Sequence, residues 1–138
     1  MKLELIATAT FGLEAVVKRE IEALGYKIIR SEDAKITYMG DERAIARSNL
    51  WLRSADRVLL KMGEFKALEF EDLFQQTKAV AWEDIIPADG KFTVTGTSVK
   101  SKLHSVPACQ SIVKKAIVER LGSFYCIDRF EETGAEYT

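Results

Sequence analysis

The chain has 138 residues, of which 47% are hydrophobic and 30% are charged, and its formal net charge is −1. This length supports one domain with a proper core or two small ones, and the composition excludes a disordered protein. No apolar run approaches the roughly 18 residues that a membrane-spanning helix needs. The first ten residues are too few and too polar for a secretory signal. We therefore expect a soluble cytoplasmic protein with no membrane partner.

Residues that bind metals or perform catalysis are few. The two cysteines, Cys109 and Cys126, have neither metal-ligand nor redox spacing, and His104 is the only histidine. This excludes a multi-histidine metal site and argues against a catalytic triad. Neither a dinucleotide-binding nor a Walker glycine motif is present. The sequence therefore predicts no catalytic residue and no metal site in this chain, with Cys109 as a core thiol.

The first half of the chain follows the order β-α-β-β-α-β. Hydrophobic periodicity predicts strands at 3–8, 26–30, 35–39 and 57–65, and helices at 12–24 and from 42 through 49. Thr10 and Asp41 are the expected N-caps, and Gly25 is expected to end the first helix. This order is the split βαβ, or ferredoxin-like, plan. Residues 1–66 are therefore expected to close one antiparallel sheet with both helices on one face.

A second α/β module is predicted for residues 67–138, although its first strand could begin as early as residue 57. Residues 69–78 form an amphipathic helix, and Phe92 and Val94 alternate with threonines in a strand that ends at Gly96. A helix is predicted over 105–121, with Gly122 just past its end and a further strand at 124–127. Residues 137–138 look like the start of another strand, so we expect the chain to be part of a longer protein. The side chains expected to be buried on the 105–121 helix are Ile112, Val113, Ala116 and Ile117.

One segment collects the positive charge of the chain. Residues 91–122 carry six Lys or Arg and one acid, Glu119, for a net charge of +5, so the remainder carries −6. A basic loop that leads into a helix start, with free backbone N–H groups and the helix dipole behind them, suits the phosphates of a nucleic acid. A solvated loop with an ordinary wet helix face is the alternative interpretation. The candidate phosphate-contacting residues are Lys100, Lys102, His104, Ser105, Lys114 and Lys115.

Lys114 ranks above Lys115 among these candidates. Both are expected to face solvent, away from the apolar face of the helix. Lys115 has Glu119 four residues further on as a possible ion-pair partner, whereas Val118 stands at the matching position for Lys114. The sequence therefore predicts that Lys114 is the freer cation.

Other polar and aromatic residues receive structural interpretations. The acids Glu69, Glu71 and Asp72 lie at a helix start, where the dipole favours them. Trp51 and Trp82 are expected to be core anchors and not base-stacking platforms. Four arginines recur on and after the second helix, and a solvated face is favoured there over a second phosphate-contacting strip. These arginines are Arg43, Arg47, Arg53 and Arg57.

Several runs together resemble a known family. RVLLKMGEF, LFQQTKAVAWEDIIPADGKFTVTGTSVKS and the helix SIVKKAIVERLG resemble a THUMP domain. The β-α-β-β-α-β module resembles the small ferredoxin-like domain that precedes THUMP. The N-terminal TATFGLEAVVKREIEALGY is similar to the opening of bacterial THUMP-containing ribosomal RNA (guanine-N2)-methyltransferases. The likeness covers nearly the whole chain and rests on the order and spacing of several weak motifs.

The resemblance implies an α+β chain in which a ferredoxin-like subdomain is joined to a THUMP-type subdomain. It implies an RNA-binding, substrate-recognition function, with ribosomal RNA as the partner and the six candidate residues above as the RNA-binding set. A Rossmann-like methyltransferase domain that uses S-adenosylmethionine and an Asn-Pro-Pro-Tyr/Phe motif would follow. No Asn-Pro pair occurs here, since proline stands only at 87 and 107. We therefore expect no cofactor and no catalysis in this chain alone.

Two alternatives remain open. The module could belong to a transfer-RNA modifying enzyme, such as a thiouridine synthetase or a transfer-RNA guanine methyltransferase. It could instead be a protein-interaction module whose basic loop meets an acidic partner. Salt-sensitive binding to RNA but not to polyglutamate would separate RNA recognition from the latter.

Overall fold

The computed structural model describes all 138 residues and divides them into two compact units, residues 1–62 and 63–138. Both units combine helices with strands, so the expected α+β class is confirmed. None of the helices is both long enough and apolar enough to cross a membrane.

The first unit has the predicted β-α-β-β-α-β order. Its elements are β1 (Leu3–Ala9), α1 (Glu14–Ala23), β2 (Lys27–Glu32), β3 (Lys35–Gly40), α2 (Glu42–Trp51) and β4 (Ala55–Leu60). The strands form one antiparallel sheet in the order β2-β3-β1-β4. Two central strands flanked by the outer pair in this order are the ferredoxin-like arrangement, which confirms that prediction.

Alternation along β1 builds the core of the first unit. Leu5 and Ala7 are fully buried on one face of the sheet, where they pack with Val17 and Ile21 of α1. On β3, the buried Tyr38 hydroxyl donates to Ser48 Oγ of α2 at 2.7 Å, so the polar group is satisfied. The sheet and both helices therefore share one core.

Of the three helix-end predictions for this unit, two are confirmed and one is wrong. Asp41 caps α2 as predicted, because its carboxylate accepts the Ala44 N–H at 2.9 Å. Gly25, at φ +90°, ends α1 as predicted. Thr10 is not the N-cap of α1, since the helix begins one turn later and Leu13 occupies that position. No side chain caps α1, and the Glu14 carboxylate instead accepts the Gly12 N–H at 2.8 Å and the Ala34 N–H at 3.0 Å, both outside the helix.

Strand lengths also differ from the prediction. The β2–β3 hairpin extends to the Glu32–Lys35 pair, so its turn falls at residues 33–34 and Ala34 adopts φ +61°. At the other end, β4 stops at Leu60, five residues before the predicted end. Because β4 pairs with β1, residues 55–60 belong to the first sheet and do not begin the second module.

The second unit is built around a long helix. Its elements are α3 (Phe70–Lys78), a 3-10 turn (Trp82–Asp84), β5 (Lys91–Phe92), α4 (Val106–Tyr125) and β6 (Glu136–Tyr137). β5 and β6 are parallel neighbours, and α3 packs along α4. The core gathers Ile86 and Phe92 against Ile117 and Leu121 of α4.

Four predictions for this unit need correction. The strand predicted to reach Gly96 is only two residues long, although Phe92 is buried and Val94 half-buried as the alternation required. Gly122 lies inside α4, and no strand occurs at 124–127, because the helix continues to Tyr125. Of the predicted buried face, Ala116 and Ile117 are buried, whereas Ile112 and Val113 are half-buried.

Tertiary contacts explain the longer helix. The Tyr125 hydroxyl donates to the Ile86 carbonyl at 2.8 Å, which anchors the last turn to the core. Cys126 then adopts the left-handed conformation (φ +55°), and the Ile127 N–H bonds to the Gly122 carbonyl at 3.2 Å. A Cβ at Gly122 would lie 3.1 Å from the Ile127 carbonyl oxygen. The glycine therefore allows the returning chain to approach and does not end the helix.

Candidate nucleic-acid interface

The basic loop between β5 and α4 is folded upon itself by its own polar groups. Ser98 Oγ donates to the Leu103 carbonyl at 3.0 Å, and the Leu103 N–H donates to Ser101 Oγ at 3.2 Å. Cys109 Sγ of α4 lies 3.8 Å from the same carbonyl. These contacts fix the loop to the first turns of α4 and leave the charged side chains outside.

Lys100 and Lys102 are the freest cations of the candidate set. Both side chains are exposed, and neither ammonium group has a hydrogen bond or an ion pair. Lys100 adopts φ +48°, the left-handed region that non-glycine residues seldom occupy. The tight turn at Lys100 presents both residues to solvent, so both remain available to a phosphate.

His104 and Ser105 lead into α4. His104 is exposed, with Nδ1 3.4 Å from the Lys102 carbonyl oxygen. Ser105 occupies the predicted N-cap position, but its hydroxyl makes no capping bond. The first turn of α4 contains no acid, and Pro107 contributes no N–H. The N–H groups at the start of α4 therefore lack a side-chain acceptor and can face an incoming anion.

Lys114 is not the free cation that the sequence predicted. Its ammonium nitrogen lies 3.7 Å from the Phe92 ring centroid and donates to the Phe92 carbonyl oxygen. It also lies 3.5 Å from the Glu132 carboxylate. The ranking based on α4 alone is wrong, because the carboxylate that pairs with Lys114 comes from a distant segment of the chain.

Lys115 is correspondingly freer than predicted. Glu119, its expected partner, pairs instead with Lys78 of α3 at 3.2 Å. Lys115 is exposed, and its only close partner is the Phe74 ring, with the ammonium nitrogen 5.9 Å from the centroid. The geometry therefore ranks Lys115 above Lys114 as a phosphate contact.

A second cation of the basic segment is also engaged within the unit. Arg120 forms a two-point ion pair with Glu83, with Nε 2.9 Å from Oε2 and Nη2 bonded to Oε1. The Glu83 side chain is only 9% exposed. Hydrogen bonding from Arg120 holds the pKa of Glu83 below its ordinary value, and the same bond raises the pKa of Arg120. Arg120 thus serves the fold and not a ligand.

The unpaired charge therefore concentrates on four lysines. Two of the six cations counted in the basic segment, Lys114 and Arg120, are neutralised by Glu132 and Glu83. The cations whose side chains have no ion pair are Lys91, Lys100, Lys102 and Lys115. Sequence reasoning included Lys91 in the charge of the segment but not in the site. Lys91 precedes the buried Phe92 in β5, and this alternation could have placed the Lys91 side chain on the exposed side, among the site candidates.

Beneath the loop lies a cleft of about 390 Å³. Leu73 of α3 and Val113 of α4 line its apolar wall, and Cys109 is half-buried there. No charged side chain contributes to the lining. No group of three or more His, Cys, Asp or Glu residues could hold a metal ion. The charged side chains of the basic segment therefore lie outside the cleft lining.

The two tryptophans differ in burial. Trp82 is half-buried, packs against the core of the second unit and donates its indole N–H to the Thr77 carbonyl at 2.7 Å. Trp51, predicted to be a core anchor, is 60% exposed at the end of α2. That prediction is wrong for Trp51, because the inward face of α2 carries Ala44 and Ser48 instead.

Comparison with known protein families shows which family this chain belongs to. The family model described as "THUMP domain" matches residues 67–138. The chain belongs to the THUMP domain family. Residues 4–59 match the family model described as "RlmL ferredoxin-like domain". The resemblance inferred from the sequence is thereby confirmed for both parts of this THUMP chain.

Relatives of this THUMP chain are considerably longer than it is. It is 54% identical to "Putative RNA methyltransferase YpsC" of Bacillus subtilis, over 99% of the chain and 36% of that protein. A structure from Listeria monocytogenes, described as "a predicted N6-adenine-specific DNA methylase", is 52% identical, with a TM-score of 0.96 over 99% of the chain and 36% of that protein. "SMU.472, a putative methyltransferase complexed with SAH" is 42% identical, with a TM-score of 0.93 over 98% of the chain and 37% of that protein. The chain thus spans about a third of each relative.

Proposed function

We propose that this chain binds structured RNA and presents it to an S-adenosylmethionine-dependent methyltransferase domain that follows it in a longer protein. One observation carries the proposal: Lys100 and Lys102 stand unpaired in front of an α4 start without a side-chain cap, within a THUMP domain. The relatives described as methyltransferases, one of them bound to SAH, support the second half of the proposal. The cytoplasm is the proposed location.

Flexible lysines and backbone N–H groups suit recognition of phosphates. An RNA duplex is recognised mainly through its shape, its phosphates and its 2′-hydroxyls, because its deep major groove excludes side chains. Lysine ammonium groups act as point charges and carry little base specificity. We infer that Lys100, Lys102 and Lys115, with His104 and Ser105 beside them, position the RNA. The target nucleotide is then selected elsewhere in the longer protein.

We further propose that the RNA substrate is ribosomal RNA and that it is modified at guanine N2. Its support is the N-terminal run from Thr8 to Tyr26, which resembles the opening of the ribosomal RNA (guanine-N2)-methyltransferases. A transfer-RNA modifying enzyme is the alternative within the THUMP family. The description of the Listeria relative as a DNA methylase makes DNA a rival substrate.

Matched ligands test the proposal. An RNA hairpin, a DNA hairpin of the same sequence and polyglutamate are titrated into the 138-residue chain at two salt concentrations. RNA recognition requires tighter binding of the RNA hairpin than of the DNA hairpin, since only RNA offers 2′-hydroxyls and A-form grooves. Equal binding of the two hairpins would mean unspecific electrostatics, and binding of polyglutamate alone would mean an acidic protein partner.

A further inference from the structure

An exposed stripe on α2 of the first unit plays no part in the site described above. The consecutive apolar side chains Leu50 and Trp51 are 77% and 60% exposed. Arg43 and Arg47 precede them and are also exposed. The spacing i, i+4, i+7 and i+8 places these four side chains on one side of the helix. Two arginines and a tryptophan therefore form one continuous surface.

The arginines of this stripe are not paired with acids. Arg43 makes no hydrogen bond or ion pair. Arg47 donates to the Tyr26 hydroxyl at 3.1 Å, and its guanidinium carbon lies 5.3 Å from the Tyr26 ring centroid. The tyrosine therefore holds the Arg47 guanidinium in place without neutralising it.

The carboxylates at both ends of α2 are already engaged. Glu42 pairs with the N-terminal ammonium group at 3.2 Å. At the other end, Glu20 of α1 accepts the backbone N–H groups of Arg53 and Ser54 at 3.1–3.3 Å. The stripe is thus cationic and aromatic together, a combination suited to an anionic ligand that also has a flat ring.

We propose that this stripe, Arg43, Arg47, Leu50 and Trp51, is a second RNA contact, in which Trp51 stacks on an unpaired base while the arginines meet the adjacent phosphates. The inference rests on the proposed RNA-binding function. Aromatic side chains beside a basic track are the usual platform for single-stranded nucleic acid, and each stacked base contributes about 5- to 150-fold in affinity. A purely apolar protein partner would leave Arg43 and Arg47 without acceptors.

The fluorescence of Trp51 can report ligand binding at the stripe. The chain has two tryptophans, so a Trp82→Phe variant reports on Trp51 alone. The ligands are single-stranded oligouridine of about 12 nucleotides, an RNA duplex without loops and polyglutamate. We expect oligouridine to quench Trp51 emission and the duplex to leave it nearly unchanged. Trp51→Ala should weaken oligouridine binding at least about fivefold, and Trp51→Phe should retain most of it.

The proposed phosphate contacts of the arginines are tested separately, by the salt dependence of binding. Arg43→Ala should make the salt slope of oligouridine binding shallower by about 0.7, whereas Arg19→Ala on α1, also an exposed arginine without a partner, should leave it unchanged. RNA binding with unchanged Trp51 emission and full affinity in Trp51→Ala would overturn the inference and leave the proposed function intact. Quenching by polyglutamate but not by RNA would also overturn it. Failure of every RNA to bind any variant would instead refute the proposed function itself.

Discussion

The ammonium group of Lys114 lies over the ring of Phe92, 3.7 Å from its centroid, and donates to the carbonyl oxygen of the same residue. A side chain in the middle of α4 thereby fastens β5, and the nearby Glu132 carboxylate completes the contact. The residue that looked most available for RNA is therefore part of the fold, and its neighbour Lys115 takes over the candidate role.

Truncating Lys114 should cost stability. We expect Lys114→Ala to lower the free energy of unfolding by about 1–2 kcal/mol, through loss of the cation–π contact and the charged hydrogen bond. Lys115→Ala, which removes an exposed side chain, should change it by less than about 0.5 kcal/mol. Urea unfolding of both variants measures the difference. Equal effects in the two variants would contradict the structural role of Lys114.

Ile117 tests the core of the second unit. It is 4% exposed and packs with Leu121, Ile86 and Phe92. Ile117→Ala should cost about 2–5 kcal/mol, the usual range for truncating a buried Ile side chain to Ala and leaving a cavity. Val99→Ala is the matched control, since Val99 is 80% exposed. A loss below about 0.5 kcal/mol for Ile117→Ala would show that this face of α4 is not the core.

Much of the fold follows from local rules. The apolar alternation of β1, the Asp41 cap and the Gly25 stop act through residues a few positions apart, so the sequence alone predicts them. Gly122 shows the limit of such rules, because the Tyr125 hydroxyl bond to Ile86 carries the helix past it. A bond between distant segments leaves no periodic trace in the sequence.

Only part of the candidate site could be predicted from the sequence. The clustering of lysines in one segment predicted a basic loop before a helix, and the structure leaves Lys100 and Lys102 of that loop unpaired. The partners of Lys114 and Arg120 could not be predicted, since Glu132 and Glu83 lie far from them in the chain. Trp51 was misassigned because large aromatic residues are usually buried, and only the packing of α2 shows which face points outward.

The ion pair between Glu83 and Arg120 predicts an acid-sensitive stability. Because Arg120 lowers the pKa of Glu83 in the folded state, the pair stabilises the protein fully above the ordinary carboxyl pKa near 4.5 and less as the pH falls through the folded value. Glu83→Gln should therefore be less stable than wild type at pH 7, and this difference should shrink below pH 4.5. Urea unfolding over that range measures it. Glu131→Gln, an exposed carboxylate without a partner, is the control, and a pH-independent difference for Glu83→Gln would contradict the account.

We expect the cofactor to bind the proposed methyltransferase domain and not this chain. We expect calorimetry to detect no binding of S-adenosylmethionine to the 138 residues, because no glycine-rich cofactor loop and no Asn-Pro pair occur in the sequence. A longer protein that includes the following domain is the positive control. Saturable binding of the cofactor to the 138-residue chain would refute this division of labour.

A salt titration of RNA-hairpin binding tests whether the lysines of the basic loop and α4 contact RNA phosphates. The variants are the double variant Lys100→Ala/Lys102→Ala and Lys115→Ala, with Lys18→Ala on α1 as the control. Each lost phosphate contact should weaken binding and make the slope of log K against log salt shallower by about 0.7–0.9. We expect this change in the first two proteins, with unfolding curves like the wild type, and no change in the control. Slopes identical to the wild type in all three would contradict it and leave the lysines as solvated surface.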